Sequence, residues 1–132
     1  MREILFRGKC NEVGIYTGQW IEGFYAEDDG KPVIGQSTDK GIISYFCEIG
    51  SIGQFTGLTD KNGRKIFEGD ILKGKFKNYA VWFDDDEKAY VYGSSFQGGY
   101  RHSVASYLSG DFKRLEVIGN IYDNPNLLEV TK

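Results

Sequence analysis

Apolar residues in this chain come in short runs of about four to seven, and turn residues interrupt them before a helical period can develop. Glycine occurs 18 times and proline only twice among the 132 residues. Helices in globular proteins usually keep a 3.6-residue apolar period over several turns, and no segment does so here. The pattern therefore predicts an all-β fold of short strands, arranged as a sandwich or a barrel.

Each run is a predicted strand because residues that favour turns bound it on both sides. The predicted strands are Arg2–Gly8, Gln19–Ala26, Lys31–Gln36, Ile42–Glu48, Gln54–Leu58, Arg64–Phe67, Asp70–Phe76, Tyr79–Phe83, Ala89–Tyr92 and Arg114–Tyr122. Helix is expected only in two short segments, Ser103–Ser109 and Asn124–Leu128. In the second segment, Asn124 is suited to cap the helix and Pro125 to occupy its first position.

Two dipeptides mark tight hairpins between predicted strands. Asp29-Gly30 separates the second strand from the third, and Asn62-Gly63 lies between the fifth and the sixth. Aspartate, asparagine and glycine tolerate the positive φ that tight hairpins require, so each dipeptide can supply it. We therefore predict a hairpin turn at each dipeptide.

The stretch from Thr56 to Leu72 reads TGLTDKNGRKIFEGDIL and is predicted to form a three-stranded meander. After the hairpin, Gly69 bends the chain, and Asp70 can accept hydrogen bonds from nearby backbone N–H groups. The apolar residues of the stretch are expected in the core and its charged side chains outside. The stretch is thus predicted to serve the fold and not a binding or catalytic site.

The charge balance excludes a general attraction to nucleic acid. Lys and Arg together number 16 and Asp and Glu 19, a formal net charge of −3, so nucleic-acid binding would need a local patch. The first ten residues mix charges with a short apolar run, which fits neither a signal peptide nor a membrane span. Two cysteines, Cys10 and Cys47, are too few for a disulfide framework. We expect a cytoplasmic protein with both thiols free.

Residues suited to catalysis or metal binding are sparse. His102 is the only histidine, and a nucleophilic pair with Cys47 or a serine would require the fold to bring distant residues together. One histidine and two cysteines far apart do not make a closed zinc site, which takes four ligands. The acidic run Asp84–Glu87 lacks the ligand spacing of a calcium loop and is predicted to be a solvated hairpin tip. No catalytic residue, metal or cofactor is predicted.

One segment is richer in positive charge. Lys73, Lys75 and Lys77 alternate along a predicted strand and therefore share one of its faces. Tyr79 and Trp82 follow, and lysines beside aromatic rings on a small barrel can hold a phosphate backbone and stack bases. The alternative is an edge strand whose lysines prevent pairing with other sheets, which we favour because such strands are common in β proteins. These five residues are the candidate binding residues.

Three blocks of the sequence resemble the YopX family. They are Arg2–Arg7, Gly53–Leu58 together with Asp60–Gly63 and Phe67–Ile71, and Val117–Pro125 followed by Leu127-Leu128. The blocks occur in family order and span the chain, whereas the segment Asp84–Phe112 matches no known pattern. The resemblance implies a protein encoded by a phage or prophage of Gram-positive bacteria, mostly β, with SH3-like barrel character. It implies no reaction, cofactor or catalytic residue.

The residues and the resemblance together predict one domain, residues 1–132, with an SH3-like barrel-type architecture and an additional N-terminal β-hairpin region. A division into N-terminal strands, residues 1–52, and a barrel core, residues 53–132, is the alternative. We expect the protein to act by binding, first as a protein-interaction module. A nucleic-acid-binding barrel that uses the lysine face is the second hypothesis, and an enzyme is the third. An unknown protein partner is expected, a homo-oligomer stays open, and no membrane association is expected.

Overall fold

Every apolar run identified in the sequence contributes to a strand, so the predicted all-β class is confirmed. The structure is a computed structural model that describes residues 3–74, 77–86, 88–93, 101–103 (backbone only) and 115–128. Within these residues the chain forms eleven strands and one 3-10 helix. It folds into two compact units, Met1–Phe55 and Thr56–Lys132. The single domain and its alternative division after residue 52 stay predictions.

The first unit contains one antiparallel sheet. Its strands are β1 (Phe6–Lys9), β2 (Trp20–Asp28), β3 (Lys31–Thr38), β4 (Gly41–Phe46) and the first residues of β5 (Gly53–Thr59). The order across this part of the sheet is β4-β3-β2-β1-β5. Strands that follow each other in sequence thus pair as hairpins, and β5 adds to the outer side of β1.

Strand β2 is shared between two partners. Its first residues, Trp20–Gly23, pair with β1, and the remainder, Phe24–Asp28, pairs with β3. Where the partner changes, a Cβ atom on Gly23 would lie 2.1 Å from the carbonyl oxygen of Gly35. Only glycine lets the two backbones approach this closely, so Gly23 permits the close contact between β2 and β3.

The first and fourth strands meet just beyond their ends. Cys10, which follows β1, and Cys47, which follows β4, form an isolated antiparallel bridge. The N–H of Asn11 donates to the Phe46 carbonyl at 3.0 Å, and the N–H of Glu48 donates to the Lys9 carbonyl at 2.8 Å. These two bonds close β1–β4 into a ring. The core inside it contains Cys10, Ile21, Ile34 and Cys47, with Phe6, Tyr45 and Ile52 packed against them.

The second unit contains a five-stranded antiparallel sheet in the order β10-β9-β8-β7-β11. Its strands are β7 (Asp70–Lys73), β8 (Asn78–Asp84), β9 (Ala89–Gly93), β10 (Arg101–Ser103) and β11 (Glu116–Asn120). The last residues of β5 pair with β6 (Lys65–Phe67) in the same unit. The core cluster contains Ile66, Leu72, Val81, Tyr90, Tyr92, Leu115 and Val117. The SH3-like barrel expected at residues 53–132 stays a prediction, since the closure seen here lies in the first unit.

The predicted helices and strand ends need some adjustment. A 3-10 helix spans Pro125–Leu128, as expected, but the side chain of Asn124 accepts the N–H of Asn120 at 3.2 Å instead of capping that helix. The other predicted helix, Ser103–Ser109, lies outside the described residues apart from Ser103, which ends β10. Strand β10 itself was not predicted, because its residues, RHS, carry no apolar pattern.

The two hairpin dipeptides behave differently. Asp29 and Gly30 both have positive φ, 54° and 77°, and join β2 to β3 as predicted. At the second dipeptide Gly63 supplies the positive φ, at 81°, as predicted, whereas Asn62 keeps an ordinary negative φ. The N–H of Gly63 donates to the carbonyl of Asp60 at 3.0 Å, which makes a four-residue turn that ends in a left-handed glycine. Asn62 then needs no unusual backbone conformation.

Asp60 holds this turn together from inside the protein. One carboxylate oxygen, Oδ1, accepts the N–H groups of Asn62 and Arg64, each at 2.9 Å. The other, Oδ2, accepts the N–H of Val117 at 2.9 Å, 57 residues further along the chain. Burial by itself would raise the pKa of Asp60, but these three hydrogen bonds and the nearby Arg64 outweigh it and lower the pKa.

The Thr56–Leu72 stretch corrects its prediction in two respects. It is not a three-stranded meander, because β6 pairs with β5 whereas β7 belongs to the other sheet. Its charged side chains do not all lie outside. Asp60 is 6% exposed and Asp70 only 1%. Asp70 accepts the N–H of Phe67 at 2.8 Å, and Gly69 before it has a φ of 88°, so this predicted turn is confirmed in its detail. Both carboxylates are buried because backbone donors at the turns need an acceptor that is out of reach of water.

Replacement of Asp60 tests this arrangement. We expect Asp60→Asn to lower the free energy of unfolding at pH 7 by about 2 kcal/mol, because one amide oxygen cannot replace two carboxylate oxygens that accept three N–H groups. The folded state lowers the pKa of Asp60, so its contribution is complete above the unfolded pKa of about 3.9 and is lost as the pH falls through the folded value. Urea unfolding at pH 7 and pH 3 measures both effects.

The control is Asp85→Asn, since Asp85 is an exposed residue of a hairpin turn. It should change the free energy of unfolding by less than about 0.5 kcal/mol. The carboxylate would not hold the turn as described if Asp60→Asn changed the free energy of unfolding at pH 7 no more than the control does. The same conclusion would follow if the loss of stability in Asp60→Asn were as large at pH 3 as at pH 7.

Candidate functional site

The structure describes two of the three candidate lysines. Lys73 ends β7 and is exposed, and Lys77 is exposed just before β8, whereas Lys75 lies outside the described residues. Strand β7 pairs with β8 on one side and with β11 on the other. The favoured interpretation of Lys73 as the guard of an edge strand was therefore wrong, because β11 arrives from far along the chain and occupies that side.

The two candidate aromatic residues lie on opposite faces of β8. Tyr79 packs against the core cluster of the second unit, and its ring meets that of Tyr92 edge-on with centroids 5.1 Å apart. Trp82 is an odd number of positions away and so faces the other side, the side of Lys73. The structure thus does not bring Tyr79 and Trp82 together as one stacking surface. A role of the lysines in nucleic-acid binding stays a prediction.

The residues considered for catalysis are distributed over both units. Cys10 and Cys47 belong to the first unit, where they are 1% and 2% exposed. Burial raises the pKa of the Cys47 thiol to about 11, with smaller contributions from Cys10 and Glu12, so this thiol is protonated at neutral pH. The backbone of His102 lies in β10 opposite Tyr92. The structure does reveal that the two cysteines, far apart in sequence, are neighbours.

The acidic hairpin between β8 and β9 is only partly a solvated tip. Asp85 and Asp86 are exposed, as predicted, and Glu87 lies outside the described residues. Asp84 is only 5% exposed, and its Oδ1 accepts the N–H of Asp86 at 2.9 Å. The expectation of solvation was therefore wrong for Asp84, because that side chain satisfies the backbone of the turn. Among the described residues no group of three or more His, Cys, Asp or Glu side chains is placed to hold a metal ion.

The first unit offers a surface that the sequence analysis missed, the outer edge of β4. Strand β4 pairs with β3 on one side and ends the sheet on the other. Ile42 and Ile43 near its start are 66% and 46% exposed, and Phe24, whose ring covers Gly35 in the adjacent part of the sheet, is 40% exposed. Large apolar side chains beside an unpaired strand are typical of a surface that binds another chain.

The hydrogen bonds at the end of β4 show which backbone groups point outward. The N–H of Phe46 donates to the Glu12 carboxylate at 3.0 Å, and its carbonyl accepts the N–H of Asn11, so both groups point away from β3. Because direction alternates along an antiparallel strand, the N–H and C=O of Ser44 and of Ile42 point the same way. No described residue pairs with them. We call residues 42–44 the open edge of β4.

A cavity of about 400 Å³ lies where the open edge stops. Phe46, Cys47 and Ile49 are apolar residues of its lining, and Glu12 and Lys31 contribute opposite charges to it. Its volume is in the range of sites that hold a small ligand or a large side chain. The apolar lining and the presence of both signs of charge suit a side chain of a bound peptide better than a free anion or cation.

Comparisons with known proteins identify relatives but no activity. The family model described as YopX protein matches residues 6–129 of this chain. The crystal structure of protein EF1440 from Enterococcus faecalis is similar, with 23% sequence identity and a TM-score of 0.55, and the match covers 98% of this chain and 100% of the other. That likeness concerns the fold alone. No curated protein matches the chain. In the part that the structure describes, no helix has the length and apolar character needed to cross a membrane.

Oligonucleotide binding tests whether Lys73, Lys75 and Lys77, the lysine face, contact nucleic acid. We expect the dissociation constant for oligonucleotides to lie above about 1 µM at physiological salt. The net charge is −3, and the exposed Asp85 and Asp86 repel phosphate. Replacing Lys73, Lys75 and Lys77 with Gln should leave this weak binding unchanged and cause no aggregation, since β7 is not an edge strand. Affinity at two salt concentrations and light scattering measure both. Submicromolar binding that disappears in the triple variant would instead establish a nucleic-acid site.

Proposed function

This chain belongs to the YopX family, and we propose that it is a phage- or prophage-encoded cytoplasmic protein that acts by binding another protein, without catalysis. The observation that carries the proposal is the open edge of β4 with its exposed isoleucines. Soluble proteins usually cover, charge or shorten such edges, because an exposed strand edge pairs with other chains. An edge left open and apolar is therefore a candidate binding surface.

The open edge determines how a partner would bind. Four outward backbone groups, the N–H and C=O of Ile42 and of Ser44, are spaced for the ladder of an antiparallel or parallel strand. An extended segment of the partner would add to the sheet beside β4, and its main chain would provide most of the hydrogen bonds. Its side chains on one face of the sheet would contact Ile42, and those on the other face would contact Ile43.

Local chain segments limit the length of the added strand. On one side, Glu12 and Asn11 already occupy the N–H and C=O of Phe46. On the other side, the hairpin turn at Asp39-Lys40 precedes β4. The partner segment is therefore short, about three to five residues, and a large apolar side chain at its end would reach the cavity formed by Phe46, Cys47 and Ile49.

A proline substitution separates binding from folding. The N–H of Ser44 points away from β3, so Ser44→Pro removes an outward donor and leaves the ladder with β3 intact. We expect it to weaken capture of the native partner from host lysate at least tenfold with little loss of stability. Ser44→Ala keeps the N–H and should bind like the unaltered protein.

Two further variants complete the test. Ile43→Lys places a charge beside the open edge and should also weaken binding. Tyr45→Pro removes an N–H that faces β3, so it should destabilise the unit instead. The capture experiment is followed by identification of the bound chain and a titration with the purified partner. Equal partner affinity of Ser44→Pro and Ser44→Ala would rule out binding by strand addition at β4.

A further inference from the structure

The bridge between Cys10 and Cys47 places two thiols in a geometry that permits a disulfide. Both bonds of this bridge join the flanking residues, Asn11 to Phe46 and Glu48 to Lys9, and not the cysteines themselves. The cysteines are therefore a non-hydrogen-bonded antiparallel pair, in which the Cα atoms lie about 4.5 Å apart and the side chains leave the same face. Disulfides span Cα separations of about 4.4 to 6.8 Å, so the backbone need not move far.

The surroundings leave room for the sulfur atoms. A Cβ atom on Gly8 would lie 2.7 Å from the Cys47 Sγ and 2.6 Å from the Ile52 side chain, so the sulfur occupies space that only a glycine provides. The Cys47 Sγ also lies 3.5 Å from the carbonyl of Tyr45, to which the thiol donates weakly. Gly8 and Cys10 project to the same face, which directs the Cys47 side chain toward the end of β1.

The two cysteines differ in what lies beside them. Both belong to the core of the first unit and are almost fully buried, with Cys10 1% and Cys47 2% exposed, but Cys47 also lines the cavity of about 400 Å³ at the end of β4. An oxidant can therefore reach Cys47 first, and Cys10 is placed to complete the reaction. The raised pKa of Cys47 lowers the fraction of thiolate at neutral pH and so slows this reaction.

We propose that Cys10 and Cys47 are a modification site that a small disulfide such as oxidised glutathione converts to an intramolecular disulfide, which locks the ring of β1–β4. This proposal is independent of the proposed binding function. The Cys47 thiolate attacks one sulfur of the oxidant, forms a mixed disulfide and releases one thiol. The Cys10 thiolate then attacks the Cys47 Sγ and releases the second thiol. Two protein thiols lose two electrons and two protons, and the oxidant becomes two thiols.

The disulfide would act on the contact that closes the first unit. It joins the residues that follow β1 and β4, so separating these two ends would no longer be possible without reduction. A cross-link across a loop of this length restricts the unfolded chain and so stabilises the folded one. The oxidised protein should therefore resist unfolding more than the reduced protein does.

The experiment uses the full chain, folded, with oxidised glutathione at pH 8 as the probe. We expect the intact mass to fall by two hydrogen atoms, both thiols to disappear, and peptide mapping to join Cys10 to Cys47 within a monomer. The urea midpoint should rise by about 1 M and return after reduction. Cys10→Ser should stop at a glutathione adduct on Cys47, and Cys47→Ser should react far more slowly.

Several outcomes would overturn the proposal. They are retention of both thiols by the folded protein after prolonged exposure, a stable glutathione adduct on the unaltered chain, and cross-links only between chains. A disulfide that forms without raising the urea midpoint would refute the locking role. Because Gly8→Ala should slow the second step in a protein that still folds, an unchanged rate in a folded Gly8→Ala variant would also contradict the geometry.

Discussion

The carboxylate of Asp60 accepts three N–H groups and joins two distant parts of the second unit. Two of the donors lie in its own turn, and the third, Val117, belongs to β11 where that strand pairs with β7. Carboxylates act in the same way at three other strand ends: Asp70, Asp84 and Glu12 each accept a backbone N–H there. Short strands create many such ends, and buried donors must find acceptors.

In the first unit, the main structural feature is the closure of β1–β4 into a ring. Close contact between β2 and β3 at Gly23 and Gly35 changes the partner of β2, and the bridge at Cys10 and Cys47 then joins the end of β4 to the end of β1. Since this closure involves only the last residue of β4 and the residues after it, the earlier part of the strand keeps an open edge. Closure, the cavity and the proposed binding surface therefore have one structural origin.

Local patterns in the sequence were enough for the strands and for most of the turns. The spacing of apolar residues and the conformational preferences of turn residues depend on only a few neighbouring positions. The hairpin at Asp29-Gly30 and the bend at Gly69-Asp70 could therefore be predicted without knowledge of the tertiary structure. The same local patterns gave wrong predictions of burial where a side chain accepts a hydrogen bond from a backbone N–H group. Nothing near Asp60 or Asp84 in the sequence signals burial, and the lysine at the end of β7 resembles an edge guard until β11 is placed beside it.

Alternation of apolar and turn residues thus determined the all-β class and the position of nearly every strand. Pairing between distant segments decided the remainder: the neighbours of β7, the closure at Cys10 and Cys47, and the open edge of β4. The physical reason is that hydrogen bonds within a hairpin depend on adjacent residues, whereas the identity of an edge depends on every other strand in the sheet. Which strand edge is left open could therefore be seen only in the folded chain.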